Sequence, residues 1–294
     1  MSFVKRIIQV TFIKHVGGFT GSGGKNKLVV TGLRCGVDIS QPGLPGMGLL
    51  QMGIWGLTLS QINDLSTLGL TIIAENKNKV QVDVGDSSST QLNTVFTGTI
   101  YQCWGDFTQQ QDACMRVAAQ VGMDATTQPA NPTSASGPVD PVVLLQTLCD
   151  QIPLSFVNQG VGGIRITDPY LPSNPLEQIK ALLTQASING VIENGTLYIW
   201  PKSGYRTAPN IPEIGAGSGM VGYPTYNPTG INVRCEYNPS IMFGSLVTVK
   251  SSLAGTGNKW KVIGLSHNLQ CETPGGAWFT DLKLIPPDLF TAVA

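Results

Sequence analysis

Charge is scarce in this sequence. Asp, Glu, Lys and Arg make up 12% of its 294 residues, against roughly 25% in ordinary soluble domains. Eighteen cationic side chains balance eighteen anionic ones, so the formal net charge is zero. No run of Lys or Arg is longer than Lys5-Arg6. This excludes a general nucleic-acid binder, which needs a cationic field to meet phosphates. Long apolar runs are missing too. No stretch approaches the roughly 20 apolar residues of a membrane-spanning helix. The opening MSFVKRIIQVTF has a small basic start, but its apolar residues are few and alternate, so it reads as a strand and not as a signal peptide. The expectation is a soluble protein made and kept in a cytoplasm.

The residues of site chemistry are thin as well. The two histidines leave little for acid–base work: His15 closes a strand beside glycines, and His267 alternates with Leu265 and Leu269. No Gly-x-Ser-x-Gly elbow is present. Cys35, Cys103, Cys114, Cys149, Cys235 and Cys271 are far apart and form no Cys-x-x-Cys pair. Zinc needs clustered ligands, so buried free thiols are expected. Asp83, Asp86, Asp106, Asp112 and Asp124 do not follow a calcium-loop spacing. Glu193 and Glu236 are the kind of distant acids a glycosidase pairs, yet nothing sets them apart from turn and edge residues. The loop Gly18 to Asn26 imitates a phosphate loop, but Phe19 stands where its first glycine belongs and Asn26 replaces Ser or Thr. A hairpin connection is the expectation there. No catalytic, cofactor-binding or metal-binding residue is expected.

What fills the chain is Gly, Ser, Thr, Asn and Gln, with 41% apolar residues spread along the whole length. Soluble proteins usually rely on surface charge, so a chain this weakly charged is expected to cover much of its surface with partners. Residues 1–107 read as nearly all β: Ile8, Val10 and Phe12 alternate, then Leu28 and Val30, then Cys35, Val37 and Ile39, then Leu49 to Trp55. Ser60 is placed to cap a short helix with Ile62, Leu65 and Leu68 on one face and Gly69 beyond its end. Strands are expected again at Leu70 to Ala74, Val80 to Val84 and Val95 to Trp104. Many short strands with one short helix suggest a small closed barrel or sandwich.

Residues 108–123 hold a further strand or strand pair, and Gln128 to Pro138 is a linker by composition. From 139 to 200 the pattern is mixed and weakly duplicated. Pro141 to Leu148 and Pro175 to Leu182 both read as helices with proline in the first turn. Each is followed by strand, tight turn and strand. Asn194-Gly195 is a type I′ hairpin signal. Residues 201–230 read as an irregular connector. Strands are expected again at Ile231 to Tyr237, Leu246 to Ser251, Trp260 to Leu269 and Ala277 to Ile285. The fold class expected is mainly β with an α/β middle.

Several of these segments together resemble the baseplate hub proteins of tailed phages. The resemblance lies in Gly32-Leu33-Arg34-Cys35-Gly36-Val37, Ile54-Trp55-Gly56-Leu57 with Asn63 to Gly69, Val95 to Ile100 and Trp104-Gly105-Asp106-Phe107. It continues through Asn194 to Leu197, Gly219 to Pro224, Leu265 to Leu269 and Pro274 to Trp278. It spans almost the full chain and is strongest to hubs of phages and prophages of Gram-negative bacteria. The hubs of T4 and Mu are more remote, and this chain is shorter than the T4 hub.

The resemblance implies a structural, non-enzymatic homotrimer with two tail-tube-like β-barrels per chain. Three chains would then present six barrels, matching a six-fold tube above and a three-fold spike below. It maps a first barrel to 1–107, a mixed α/β region to 108–205 and a second barrel to 206–294, possibly interleaved with the first. The partners implied are the tail tube protein, a tail spike or tail-tip protein and other baseplate proteins, with DNA only as transient cargo in an axial channel. The place implied is the tail baseplate of a virion, assembled in the host cytoplasm. The alternative is a cell-wall-degrading or carbohydrate-binding tail module. The loop Gly43 to Leu50 carries more apolar bulk than a solvent-facing loop should, so Leu44, Met47, Leu49 and Leu50 are the expected subunit contact.

Overall fold

The structure, a computed structural model, describes residues 4–20, 23–66, 78–88, 91–108, 113–126, 130–253 and 255–290. The chain divides into two compact units. The first comprises residues 1–40, 49–123 and 267–278; the second comprises 41–48, 124–266 and 279–294.

The first unit is built from β1 (Arg6–Ile13), β2 (Lys27–Val30), β3 (Cys35–Pro42), β4 (Leu49–Trp55), α1 (Leu59–Ser66), β5 (Lys79–Asp86), β6 (Asn93–Asp106) and β7 (Cys114–Gln120). A single turn, α2 (Met123–Thr126), follows β7. The strands are ordered β3-β4-β7-β6-β5-β1-β2, and the pairings along β4-β7-β6-β5-β1-β2 are all antiparallel. The alternation in β1 sets the register. Ile8, Val10 and Phe12 point inward, each at most 2% exposed. They stand opposite Val84, Val82 and Val80 of β5, which are fully buried. Burying each such side chain contributes about 1.5–3 kcal/mol, and a one-residue slip would turn the whole row to solvent.

Ile62 and Leu65 of α1 are buried, and the helix packs on β6. Its cap lies two residues upstream of the position expected from sequence. Thr58 Oγ1 accepts from the Gln61 amide at 3.3 Å, while Gln61 Oε1 accepts from the Thr58 amide at 3.0 Å. This reciprocal box outcompetes Ser60, which becomes helical. Leu68, Gly69 and the strand expected at Leu70 to Ala74 lie outside the described residues.

The second unit opens with β8 (Thr133–Ser134), β9 (Pro138–Val139), α3 (Pro141–Asp150), β10 (Ser155–Asn158), β11 (Ile166–Thr167) and β12 (Tyr170–Leu171). It continues with α4 (Pro175–Gln185), β13 (Ile188–Glu193), β14 (Thr196–Pro201), β15 (Glu213–Gly215), β16 (Met220–Asn227) and β17 (Gly230–Glu236). The last strands are β18 (Leu246–Lys250), β19 (Asn258–Cys271) and β20 (Trp278–Ile285), before a 3-10 turn at Pro287–Phe290. The stretch Gln128 to Pro138 is thus not a bare linker: β8 pairs with β12 and β9 with β11.

Both helices start as their sequences predict, with Pro141 and Pro175 in the first turn behind the N-caps Asp140 and Asn174. They pack on each other, and α3 lies by β10 as α4 lies by β13. The two segments then diverge. Asn194 and Gly195, with φ of 48° and 75°, make the tight turn between β13 and β14 that a type I′ sequence calls for. In the earlier segment β10 runs parallel to β14 instead, and β11 goes to β9. Residues 201–230 are not wholly irregular, since they contain β15 and β16. The remaining strands pair β16-β17-β20-β19, with β18 beside β19 and β15 beside β18. Ile231, Val247, Val262 and Leu284, each fully buried, centre their core. At its far end β19 turns into the first unit, where residues 267–271 belong and where β19 neighbours β3. The fold is mainly β with an α/β middle.

Candidate interaction surfaces

On the first unit the outward face of β3, β4, β7 and β6 carries one concentrated patch. The register places Gly36 opposite Gly53, Gly53 opposite Arg116, and Arg116 opposite Trp104. Those residues, with Trp55 two positions along β4 from Gly53 and Arg34 just before β3, share that face by the period of two. Trp55 lies flat because Gly53 leaves room for it: a Cβ at Gly53 would sit 3.0 Å from the Trp55 ring and 3.1 Å from Cys114 Sγ. The guanidinium groups of Arg34 and Arg116 stand 4.5 Å and 5.9 Å from the Trp55 ring, each a cation–π contact of about 0.5–1 kcal/mol at such a site.

Arg116 Nε also meets Asp106 Oδ2 at 3.4 Å. The Thr108 hydroxyl donates to Asp106 at 2.7 Å and its amide at 3.1 Å. These Thr108 bonds, and then Arg116, hold the Asp106 carboxyl below the usual carboxylate range. Trp104 and Phe107 remain 46% and 54% exposed at the edge of this arrangement. Exposed Trp and Arg held in fixed positions are the residues that dominate protein–protein contacts.

A second surface lies on β16. It ends the strand order of its sheet and exposes Val221, Tyr223 and Tyr226. The pairing with β17 shifts register between Val221 and Thr225, and Pro224 falls inside that interval. A bulge and a proline blunt a strand edge as a template for further pairing. This edge therefore offers aromatic side chains more readily than backbone.

The loop singled out from sequence divides between buried and open residues. Leu50 is fully buried, opposite Ile39 of β3, and Met47 is 9% exposed. Leu44 is half-buried, with its amide donating to the Gly190 carbonyl at 2.9 Å. Leu49 is 42% exposed. Of the four, Leu49 and Leu44 have side chains within a partner's reach.

Several of the groups weighed for chemistry are buried or paired. All six cysteines are free and buried. His267 is buried; His15 is exposed. Glu193 Oε2 lies 2.6 Å from a terminal nitrogen of Arg206, which is 3% exposed, and the same guanidinium stacks 4.0 Å from the Tyr198 ring. Among the described residues no three His, Cys, Asp or Glu side chains cluster as metal ligands. Sequence reasoning did not single out Arg116, Tyr226 or the pairing of Trp55 with two arginines. The available signal was Trp104, an aromatic at the outward position beside inward Cys103.

Known folds match closely in architecture and hardly in sequence. The 43 kDa tail protein of prophage MuSo2 from Shewanella oneidensis superposes with a TM-score of 0.65 at 9% identity, covering 95% of this chain and 97% of its own. A tail protein from Neisseria meningitidis MC58 gives 0.62 at 11% identity, covering 94% and 96%. A type VI secretion system component from E. coli, described as similar in structure to the T4 tail proteins gp27 and gp5, gives 0.58 at 10% identity, covering 86% and 73%. No curated protein matches by sequence. The family described as Baseplate hub gp41 matches residues 59–271, and with most of its length so matched the chain belongs to that family of phage baseplate hubs.

Proposed function

We propose that this protein is the structural hub that joins a six-fold tail tube to a three-fold spike around an axial channel. It is a phage tail baseplate protein by family, and that membership is the observation that carries the reading. In this reading three copies assemble, each contributing two tube-like barrels, one centred on the first unit's sheet and one on the C-terminal strands of the second. The mixed region about α3 and α4 lies between them in the sequence. DNA passes as cargo, and no step of catalysis is assigned. The partners are the tube protein above, a spike or tail-tip protein below and other baseplate proteins around. Assembly takes place in the host cytoplasm and the product resides in the virion tail.

The contacts we assign are the Arg34–Trp55–Arg116 patch with Trp104 and Phe107, the Tyr223 and Tyr226 face of β16, and Leu44 with Leu49. Met47 and Leu50 are buried and are not counted among these contacts. Native mass spectrometry of the purified chain tests this. The expected species is three times 31.2 kDa, with a central channel in images of the particle. A stable dimer or tetramer would refute the symmetry argument. Leu49→Asp is expected to weaken the trimer while leaving the fold intact; Leu50→Asp is expected to unfold the first unit. A fold that tolerates both equally would show that the burial pattern is wrong.

A further inference from the structure

Within the second unit a cavity of about 290 Å³ opens to solvent, with Trp200, Phe243, Gly244, Lys261, Ile263 and Ile285 in its wall. Most of that wall is apolar. Two of its polar groups lack what burial normally demands. Lys261 is 5% exposed; its ammonium donates to the Gly204 carbonyl, and no carboxylate pairs with it among the described residues. An ammonium has three protons to give, and a buried one without a counter-charge is costly. Burial accordingly lowers the Lys261 pKa. Trp200 is 1% exposed, and its indole N–H has no acceptor, although buried Trp usually finds one. The benzo edge of the indole is turned to Gly244, where a Cβ would lie 2.3 Å from Cζ2 and 2.8 Å from Cη2. Gly244 itself lines the cavity.

A buried lysine without a carboxylate partner, set in the wall of a mostly apolar cavity, describes a complementary guest. We propose that this cavity binds an apolar carboxylate, its hydrocarbon body against Phe243 and Ile285 and its charged end drawn to Lys261, with the Trp200 ring in the wall. The volume is about twice that of a cavity that holds benzene, and at the small end of ligand pockets. One aromatic ring with a carboxylate fits it. Such a group is found on small aromatic acids and on the end of a polypeptide with a C-terminal aromatic residue.

The test is a titration of the ¹⁵N-labelled full chain, following the indole N–H signals, with Trp200→Phe to assign the one of interest. Phenylacetate is expected to shift the Trp200 signal saturably, and phenethylamine, the same ring with a cation, is not. Acetyl-Gly-Phe against its C-terminal amide separates the sources: tighter binding of the dipeptide acid points to a polypeptide end, tighter binding of phenylacetate to a small acid. Lys261→Met should weaken binding about tenfold, the worth of one charge-assisted hydrogen bond. Ile263→Trp, at a position 37% exposed on the wall, should obstruct entry without touching the buried lysine. Absence of a saturable shift with both acids would overturn the proposal. Equal binding of phenethylamine or of the amide, or unchanged binding in either folded variant, would do so too.

Discussion

Acid should weaken this protein through one histidine. His267 lies in β19 between Leu265 and Leu269, at the same inward phase, and is 6% exposed. Burial lowers its pKa from 6.5 to about 4. The unfolded chain therefore takes up a proton near the ordinary value, while the folded chain refuses it until about pH 4. Stability is fully present above the unfolded pKa and is lost as pH falls through the window between the two values. Linkage gives a loss of about 1.8 kcal/mol between about pH 7 and pH 5, and roughly 3 kcal/mol in all. Urea denaturation followed by tryptophan fluorescence at several pH values, at fixed protein concentration, measures the slope. His267→Gln and His267→Leu should flatten it by that amount, whatever they do to absolute stability. The surface carboxylates titrate in all three proteins and cancel in the difference. Identical slopes in wild type and both variants would refute the reasoning, as would an NMR titration placing His267 near 6.5.

Three further outcomes follow from particular contacts. Glu193→Gln leaves the Arg206 guanidinium buried without its counter-charge and should cost about 3 kcal/mol in denaturant unfolding. Thr58→Ala removes one half of the box that starts α1 and should cost about 1 kcal/mol in the same assay. Burial pushes the Cys103, Cys149 and Cys235 thiols up to about 12. Because the thiolate is the reactive form, a disulfide-exchange reagent near neutral pH should label none of the three until denaturant is added.

Strands were legible wherever apolar residues alternated over several positions. Leu49 to Trp55 appears with the same bounds, and Ile8, Val10 and Phe12 point as their spacing requires. The starts of α3 and α4 were legible because proline and a capping Asp or Asn act locally. What was not legible is partner choice between strands. The strand pattern of β10 fits either a hairpin or a parallel neighbour, and only the tertiary position of β14 decides. Nor does any local signal say that residues 267–271, near the end of the chain, belong with a unit begun at its start. The loop Gly43 to Leu50 shows the other limit. Its apolar bulk was plain, but whether Leu50 or Leu49 faces outward depends on the phase of β4 against β3 and β7.

Scarce charge has a consequence once the pairings are known. Arg234 of β17 stands directly opposite Asp281 of β20 and holds it through two hydrogen bonds of 2.7 and 2.9 Å. Lys250 reaches Glu213 at 2.7 Å, Lys180 reaches Glu177 at 2.8 Å and Lys5 reaches Glu272 at 2.6 Å. Exposed pairs of this kind add little to stability, a median of about 0–1 kcal/mol. Their larger effect is on the field outside: a cation that already faces its anion attracts phosphate weakly at a Debye length of roughly 8 Å. The exposed aromatic residues, Trp104, Phe107, Tyr223 and Tyr226 among them, add apolar contact area to these surfaces. That combination suits the role proposed above, in which protein neighbours are gripped and DNA passes as cargo, because retention along DNA grows with each phosphate neutralised.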